Sequence, residues 1–197
     1  MLNAPRNIKL LLAEQRRAAV ATPNEEVVTS SPHATRPPKR LQQAVESDTQ
    51  SLGALLDKLL PMLDRTTPQP TSLSEAPCVV AAGFGVGSKE NFARIEHLAA
   101  LLGAEIGGTR PAVDAGFIPH ERMIGQTGLT ISPHLYLAFG ISGQVLHTIG
   151  IERAACIVAI NNDPEAAIFR IADYTIVGDV REVTEKLITH LTARKNG

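Results

Sequence analysis

The chain has 197 residues, 44% hydrophobic and 20% charged, which is typical of one well-buried domain with extensions. Its formal net charge of -1 gives no reason to expect nucleic acid or an anionic membrane surface as a partner. No apolar run approaches the roughly 20 residues that span a bilayer, so membrane insertion is not expected either. The low aromatic content of 4%, without tryptophan, favours an aliphatic core of helices packed closely on a parallel sheet.

The first 50 residues are predicted to form a flexible extension. Their second half is rich in Pro, Ser and Thr and cannot bury enough apolar surface to fold. The N-terminus lacks the small-residue cleavage pattern of a secretory signal, so the cytoplasm is the expected location, or the mitochondrial matrix in a eukaryote. Cys78 and Cys156 each begin an apolar run and are interpreted as buried free thiols, in keeping with a reducing compartment.

Residues 51–76 are predicted to form a helix followed by a linker. Apolar residues at 52, 55, 56, 59, 60 and 63 have the spacing of an amphipathic helix, which Pro61 kinks or ends. The segment 64–76 is again rich in Pro, Thr and Ser. The globular domain is therefore predicted to span 77–196.

From residue 77 onward, strand and helix patterns alternate. Ser88 is suited to cap a helix over 89–102, and Gly103 is suited to end it. Continuous apolar strands separated by helices predict a three-layer, Rossmann-like α/β domain, with a parallel β-sheet covered by helices on both faces. The predicted strands are 78–82, 104–107, 134–140, 156–160 and 174–177. The other predicted helical segments are 111–115, a turn at 163–165 and 180–193.

Segments rich in Gly, Ser, Thr and Asn follow the predicted strands. In open parallel sheets, ligands bind beyond the carboxyl ends of the strands, where all of these segments would meet. The sequence therefore predicts a nucleotide-binding or dinucleotide-binding site at this edge. The segments are 83–88, 107–110, 125–127, 140–143, 161–163 and 178–179.

The individual motifs exclude several chemistries. Gly83, Gly85 and Gly87 precede a helix, a context that suits a phosphate, but the Lys-Ser/Thr pair of a Walker loop is absent. Ser142 lacks the second glycine of a nucleophile elbow, because Gln144 stands there. The histidines have no metal-ligand spacing. Neither catalytic nor metal-binding residues are therefore predicted.

Several long motifs, in order and at the right spacing, resemble one family. They are VVAAGFGVGSKENF, GGTRPAVDAGFIPHERMIGQTG, LYLAFGISGQVLH, IVAINNDPEAAIF and ADYTIVGD. Together they resemble the C-terminal, FAD-binding domain of the electron-transfer flavoprotein alpha subunit, from about Val79 to Thr189. The resemblance implies FAD as the cofactor.

The resemblance also implies the cofactor-binding residues. Arg110 would lie over the flavin ring and stabilise negative charge on the reduced ring, and Thr127 would face the ring near N5. The amides of Ser142 and Gly143 suit the pyrophosphate, and His147 would reach the O2 edge. Asn161 and Asp179 match positions near the ribityl-phosphate and adenosine parts. The full implied set is Thr109, Arg110, Ile124, Gly125, Gln126, Thr127, Ser142, Gly143, Gln144, Val145, Leu146, His147, Asn161, Asp179 and Val180.

The sequence departs from the family pattern in three places. Phe84 stands where the first loop of the family usually carries arginine, and Gln144-Val145-Leu146 replaces a common Ala-Ile-Gln. Losing a charge-assisted phosphate contact would weaken affinity by roughly one to two decades. The large N-terminal domain that the alpha subunit uses to form its heterodimer is not matched by residues 1–76.

The first functional interpretation is an FAD-binding electron-transfer module, a carrier that catalyses no bond chemistry. It would pass electrons from flavin dehydrogenases, such as acyl-CoA dehydrogenases, to an acceptor, together with a beta-type subunit. The alternative is a truncated flavin-domain relic that acts as a non-redox nucleotide-binding or protein-interaction module. A nicotinamide-dependent dehydrogenase is less favoured, because no acidic residue ends a second strand where a ribose-binding carboxylate belongs.

Overall fold

A parallel sheet organises residues 42–63 and 72–196, which are the residues that this computed structural model describes. Within those ranges six strands pair in the order β1-β6-β5-β4-β2-β3, every pair parallel. This confirms the predicted α/β class. The strands are β1 (Gln43–Ala44), β2 (Cys78–Ala82), β3 (Glu105–Gly108), β4 (Leu135–Phe139), β5 (Cys156–Asn161) and β6 (Tyr174–Val177).

Helical segments cover both faces of the sheet, as predicted. The α-helices are α1 (Thr49–Leu59), α2 (Lys89–Leu102), α3 (Arg110–Asp114), α4 (Val145–Thr148) and α5 (Val180–Asn196). Short 3-10 segments are Leu60–Met62, Leu73–Glu75, Phe84–Val86, His120–Arg122, Ile149–Ile151 and Ala167–Arg170. No helix in the described part of the chain is both long and apolar enough to cross a membrane.

Two apolar clusters form the core, one on each face. Leu56, Ile95 and Leu187 bring α1, α2 and α5 together on the first face. Ile151 and Ile168 pack on the second face, under the shorter helical segments. The central strands contribute alternate side chains to both clusters, so every residue of β2, β4 and β5 is buried. Burial on two faces explains their continuous apolar sequences.

The boundaries of α2 follow from its flanking residues, as predicted. The Ser88 hydroxyl accepts a hydrogen bond from the Asn91 amide at 3.1 Å and so satisfies one of the unpaired donors of the first turn. Gly103 ends the helix in the left-handed conformation, with φ of 67°. The helix directs the chain from β2 back to the start of β3 along the first face.

The chain leaves β2 and β4 in opposite directions. After β2 it crosses the first face through α2 and reaches the outer strand β3. After β4 it crosses the second face through α4 and reaches β5 on the other side. Since β2 and β4 are direct neighbours, their carboxyl ends diverge and leave a crevice between the two turns. This is the topological switch point at which open α/β sheets bind ligands.

The N-terminal part of the described chain belongs to the same packed unit. Gln43–Ala44, which the sequence placed in the flexible extension, pairs with β6, and α1 begins at Thr49 behind the Asp48 cap. Leu52 and Leu56 are buried in the core of the first face. The packed unit therefore begins before residue 77. The division into 1–50, 51–76 and 77–196 stays a prediction, and its segments 1–41 and 64–71 lie outside the described residues.

Candidate functional site

A cavity of about 710 Å³ opens at the carboxyl ends of the central strands. The turns that follow β2, β3, β4 and β5 line it, together with the segment that precedes β4. The structure brings eleven of the implied binding residues together around this space: Thr109, Arg110, Ile124, Gly125, Gln126, Thr127, Ser142, Gln144, Leu146, His147 and Asn161. Its volume lies in the usual range for small-molecule and cofactor sites.

Close contact between main chains forms the floor of the cavity. The Gly83 amide donates to the Phe139 carbonyl at 2.8 Å, and the Gly85 amide donates to the Gly140 carbonyl at 3.0 Å. A Cβ atom on Gly83 would lie 2.2 Å from the Gly140 oxygen. Only glycine therefore allows the two turns to approach so closely, and the glycine-rich turn after β2 serves this contact.

Thr109 and Arg110 border the cavity after β3. Thr109 is buried, and its side chain does not cap the helix α3 that follows. Its hydroxyl has no hydrogen-bond partner within residues 42–63 and 72–196, so it is suited to bind a ligand. The Arg110 side chain is 70% exposed, and its Nε lies 3.7 Å from the Asp114 carboxylate. At that distance the pair is loose, and the guanidinium can turn toward a ligand.

Gln126 and Thr127 lie on a loop that is fixed to α4. The Gln126 amide donates to the Leu146 carbonyl at 2.7 Å, and the Gly125 amide donates to Leu129 at 3.1 Å. A Cβ atom on Gly125 would meet the same Leu146 oxygen at 2.5 Å. Both side chains are exposed and line the cavity. The loop thus holds an amide and a hydroxyl toward the cavity on a rigid main chain.

The turn after β4 presents main-chain donors. In the described chain the N–H groups of residues 142–146 have no carbonyl acceptor, whereas the His147 amide donates to Gln144 at 3.0 Å. Ser142 and Gln144 are exposed and line the cavity. Successive unpaired N–H groups are suited to bind the oxygens of an anion. Gly143 and Val145 belong to the same turn but do not line the cavity.

His147 lines the cavity, but protein groups bind both of its ring nitrogens. Nδ1 lies 3.0 Å from the Ile124 carbonyl, and Nε2 lies 2.9 Å from the Tyr136 hydroxyl. Because a carbonyl only accepts, the proton belongs on Nδ1, and Nε2 accepts from Tyr136. Burial lowers the pKa of His147 to about 4, although the bond to Ile124 opposes this shift. A hydrogen bond from a ring nitrogen of His147 to flavin O2, which the resemblance implies, would therefore require one of these two bonds to break.

The remaining implied residues have structural tasks. The side-chain Nδ2 of Asn161 donates to the Ile141 carbonyl at 3.0 Å, and its Oδ1 accepts from the main-chain amide of Asp163 at 3.0 Å. These two bonds join the turns after β4 and β5. The Asp179 carboxylate accepts from the amides of Arg181 and Glu182 and caps α5. Val180 is buried. Neither Asp179 nor Val180 lines the cavity. The Asp179 side chain caps α5, and the Val180 side chain lies in the core of the first face.

Other lining residues lie outside the set that the resemblance implied, although Gly83, Phe84, Gly85, Gly140, Ile141 and Asp163 fall in the segments predicted to border the site. Phe84 extends from the turn after β2 with 65% of its surface exposed. The acidic side chains Asp114, Asp163 and Glu165 also line the cavity, and only their positions after β3 and β5 could have signalled this. The remaining additions are Gly83, Gly85, Pro111, Met123, Gly140, Ile141, Ala166 and Ala167. Among the described residues, no group of three or more His, Cys, Asp or Glu side chains is arranged to hold a metal ion.

Comparison with known proteins identifies the family. Residues 72–152 match the model of the family described as the electron transfer flavoprotein FAD-binding domain. This part of the chain belongs to that family. The match includes the turns after β2, β3 and β4, and it confirms the family that the motifs resembled. FAD, the implied cofactor, is named in the family's description.

Relatives in plants and bacteria share the same region. The mitochondrial electron transfer flavoprotein subunit alpha of Oryza sativa subsp. indica is 50% identical over 123 residues, 62% of this chain and 34% of the rice protein. The subunit alpha of Mycobacterium tuberculosis is 52% identical over 117 residues, 59% of this chain and 37% of that protein. The subunit alpha of Bacillus subtilis is 42% identical over 174 residues, which are 83% of this chain and 53% of that protein. The chain thus spans about a third to a half of these relatives.

Proposed function

We propose that this chain binds FAD in the cavity at the carboxyl edge of the sheet and acts as an electron-transfer module. The observation that carries the proposal is the placement of unpaired donors on both sides of the switch point. The Thr109 hydroxyl follows β3 and the N–H groups of 142–146 follow β4, with β2 between them. Two strand spacings separate these groups by about 10 Å, which suits a long ligand with a polar group near each end.

Main-chain donors would bind the diphosphate. The N–H groups of 142–146 supply successive donors without requiring a cationic side chain, and Ser142, Gln144 and Leu146 among these residues line the cavity. Ser142 adds a hydroxyl from the same turn. Asn161 would hold this turn in place rather than bind the ligand, because its amide already joins Ile141 and Asp163. Asp179 and Val180 would contribute near the adenosine part only through the main chain.

Side chains on the other flank would bind the flavin ring. The Thr109 hydroxyl and the exposed side chains of Gln126 and Thr127 offer hydrogen bonds to the ring edge. Arg110 would stabilise negative charge that develops when the ring is reduced. His147 would position Ile124 and the following loop through its bond to the carbonyl. The cofactor itself supplies the redox chemistry, and the chain supplies binding and electrostatics.

The proposed physiological role is that of an electron carrier between flavin dehydrogenases, such as acyl-CoA dehydrogenases, and a downstream acceptor. A beta-type subunit is the proposed partner, since the relatives are named as alpha subunits. We place the protein in the cytoplasm, or in the mitochondrial matrix in a eukaryote. The proposed FAD-binding domain is 77–196, with α1 packed on it.

An absorbance spectrum before and after addition of FAD tests the proposal. We expect the protein to be yellow, or to take up FAD with flavin bands that stay with the protein on gel filtration. Thr109→Val, which removes only the hydroxyl, should weaken FAD affinity by about tenfold. Thr189→Val on the exposed side of α5 is the matched control and should leave affinity unchanged. A colourless protein that takes up no FAD would contradict the proposal.

The second candidate is a non-redox module that binds a nucleotide. The lining charges favour binding that is weaker than an electron carrier needs, because Arg110 is the one Lys or Arg among the described lining residues and stands against the carboxylates of Asp114, Asp163 and Glu165. If ADP raises the melting temperature and FAD does not, this candidate replaces the first.

A further inference from the structure

Phe84 is an exposed aromatic side chain at the opening of the cavity. It is 65% exposed, and among the described residues it is the one Phe, Tyr or Trp that lines the cavity. Leu146, 61% exposed, also lines the cavity. Large apolar side chains left in water beside a concave site indicate a surface that a ligand or partner covers.

The position of Phe84 is fixed by its neighbours. The residues on both sides of it donate to the end of β4, Gly83 to Phe139 and Gly85 to Gly140. The Phe84 carbonyl in turn accepts from the Gly87 amide at 3.0 Å. Three hydrogen bonds thus fix the main chain around Phe84, while its ring packs in neither core cluster. Its contact with a ligand requires ordering only the side chain.

Apolar side chains reach the cavity from the turns after β2 and β4, on both sides of the switch point. The turn with Phe84 leads into α2 on the first face, whereas Leu146 lies in α4, whose turn packs on the second face. Both line the crevice at the switch point. A crevice with one apolar side chain from each of these two turns is suited to the flat surface of a fused ring system.

The charges around the cavity do not favour phosphate. Arg110 is the one Lys or Arg among the described lining residues, and Asp114 lies beside it at 3.7 Å. Two further carboxylates, Asp163 and Glu165, line the same space. A free phosphate group would therefore gain little from side-chain charge and would depend on the N–H groups of 142–146.

We propose that Phe84 contacts the face of the flavin ring and makes this site select its ligand by the ring rather than by the phosphates. The inference rests on the proposed function, since it assumes that a flavin occupies the cavity. It assigns Phe84 as a specificity-determining residue, with Leu146 as a second apolar contact. A ligand with the ring and no phosphate then keeps most of the affinity.

Calorimetric titration of purified protein with FAD, riboflavin and ADP tests this assignment. We expect Phe84→Ala to weaken FAD and riboflavin by a similar factor, on the order of tenfold as for loss of an aromatic stacking contact, and to leave ADP unchanged. Phe84→Arg should weaken riboflavin as the alanine variant does, and should strengthen ADP. Met62→Ala, an exposed apolar residue outside the cavity, is the control and should change none of the three.

Two outcomes would overturn the assignment while FAD binding stands. If Phe84→Ala leaves both flavins unchanged, the side chain faces a protein partner or solvent. If it weakens ADP as much as FAD, the side chain contacts the adenine. Failure of the wild-type protein to bind either flavin would instead refute the proposed function, and this inference with it. We expect the variants to have equal melting temperatures, because Phe84 lies outside the core. This measurement verifies that the fold is kept.

Discussion

The Tyr136 hydroxyl donates a hydrogen bond to His147 Nε2 at 2.9 Å, inside a strand that is buried on both faces. Since Nδ1 binds the Ile124 carbonyl, the imidazole joins β4, α4 and the loop before β4 in its neutral form. Burial also raises the pKa of Tyr136 well above its usual value, so the hydroxyl keeps its proton. This buried pair makes the stability of the domain depend on pH.

We expect the free energy of unfolding to fall as the pH falls from 6.5 to 4. The pKa of His147 is about 4 in the folded protein, and its ordinary value is 6.5. Between these values the unfolded chain binds more protons, so acid favours unfolding. At pH 5 the loss relative to pH 7 is about 2 kcal/mol from this residue. Urea unfolding at both pH values measures it. His147→Gln should reduce the difference, and an unchanged difference would contradict the assignment.

Gly83→Ala should destabilise the protein by about 3 kcal/mol or more, because its Cβ would lie 2.2 Å from the Gly140 oxygen and push the two turns apart. Gly87→Ala is the matched control in the same turn. A Cβ atom at this position would meet no atom within 4 Å, but the backbone has φ of 80°. The substitution should therefore lower the free energy of unfolding by only about 1–2 kcal/mol. Thermal unfolding measures both. Because Gly83 has an ordinary extended conformation with φ of -102°, equal losses would contradict close approach as the reason for glycine at this position.

Leu56→Ala should destabilise the whole domain by about 2–5 kcal/mol, because Leu56 is buried in the core cluster that α1 shares with α5. Met62→Ala, close to the end of the same helix but 38% exposed, should change stability by less than about 0.5 kcal/mol. Urea unfolding followed by circular dichroism measures the two. If Leu56→Ala unfolds only a small helical fraction at lower denaturant, α1 is a separate unit and the domain begins at 77.

Arg110→Ala should lower the reduction potential of bound flavin. The guanidinium is 70% exposed and lies near Asp114, so its interaction with a reduced ring is worth about 1 kcal/mol, or about 40 mV for one electron. Asp114→Asn should shift the potential the other way, because it removes the competing charge. Arg110→Lys, which keeps the charge, is the control. Spectroelectrochemical titration measures the shifts. A reduction potential that rises in Arg110→Ala would contradict a flavin ring next to this guanidinium.

The sequence predicted the strands and the long helices well because their patterns are local. The strand 78–82 and the helix 89–102 agree with the structure residue by residue, since an apolar run, a serine cap and a terminal glycine define them. The helix α1 begins at Thr49 rather than 51 because the Asp48 side chain accepts from the amides of Gln50 and Ser51. Strand β1 has two residues and depends on its pairing with β6, so no periodicity reveals it.

The candidate site was predictable in position and less so in detail. Polar segments after the strands indicated the edge of the sheet at which the cavity opens, because that rule depends on topology alone. The bond between Tyr136 and His147 joins a buried strand to a helix and has no sequence signal. The position of Asp179 near the ligand, which the resemblance implied, stays a prediction, and the structure adds that its side chain caps α5.

The glycine contact between the turns after β2 and β4 separates the shape of the cavity floor from the ligand preference of its rim. Because main-chain atoms of Gly83, Gly85 and Gly140 form the floor, its shape does not depend on any rotamer. The rim consists of exposed side chains, among them Phe84 and Leu146. Mutation of the rim can therefore change ligand preference while the scaffold stays constant, which makes this cavity a suitable starting point for engineering ligand selectivity.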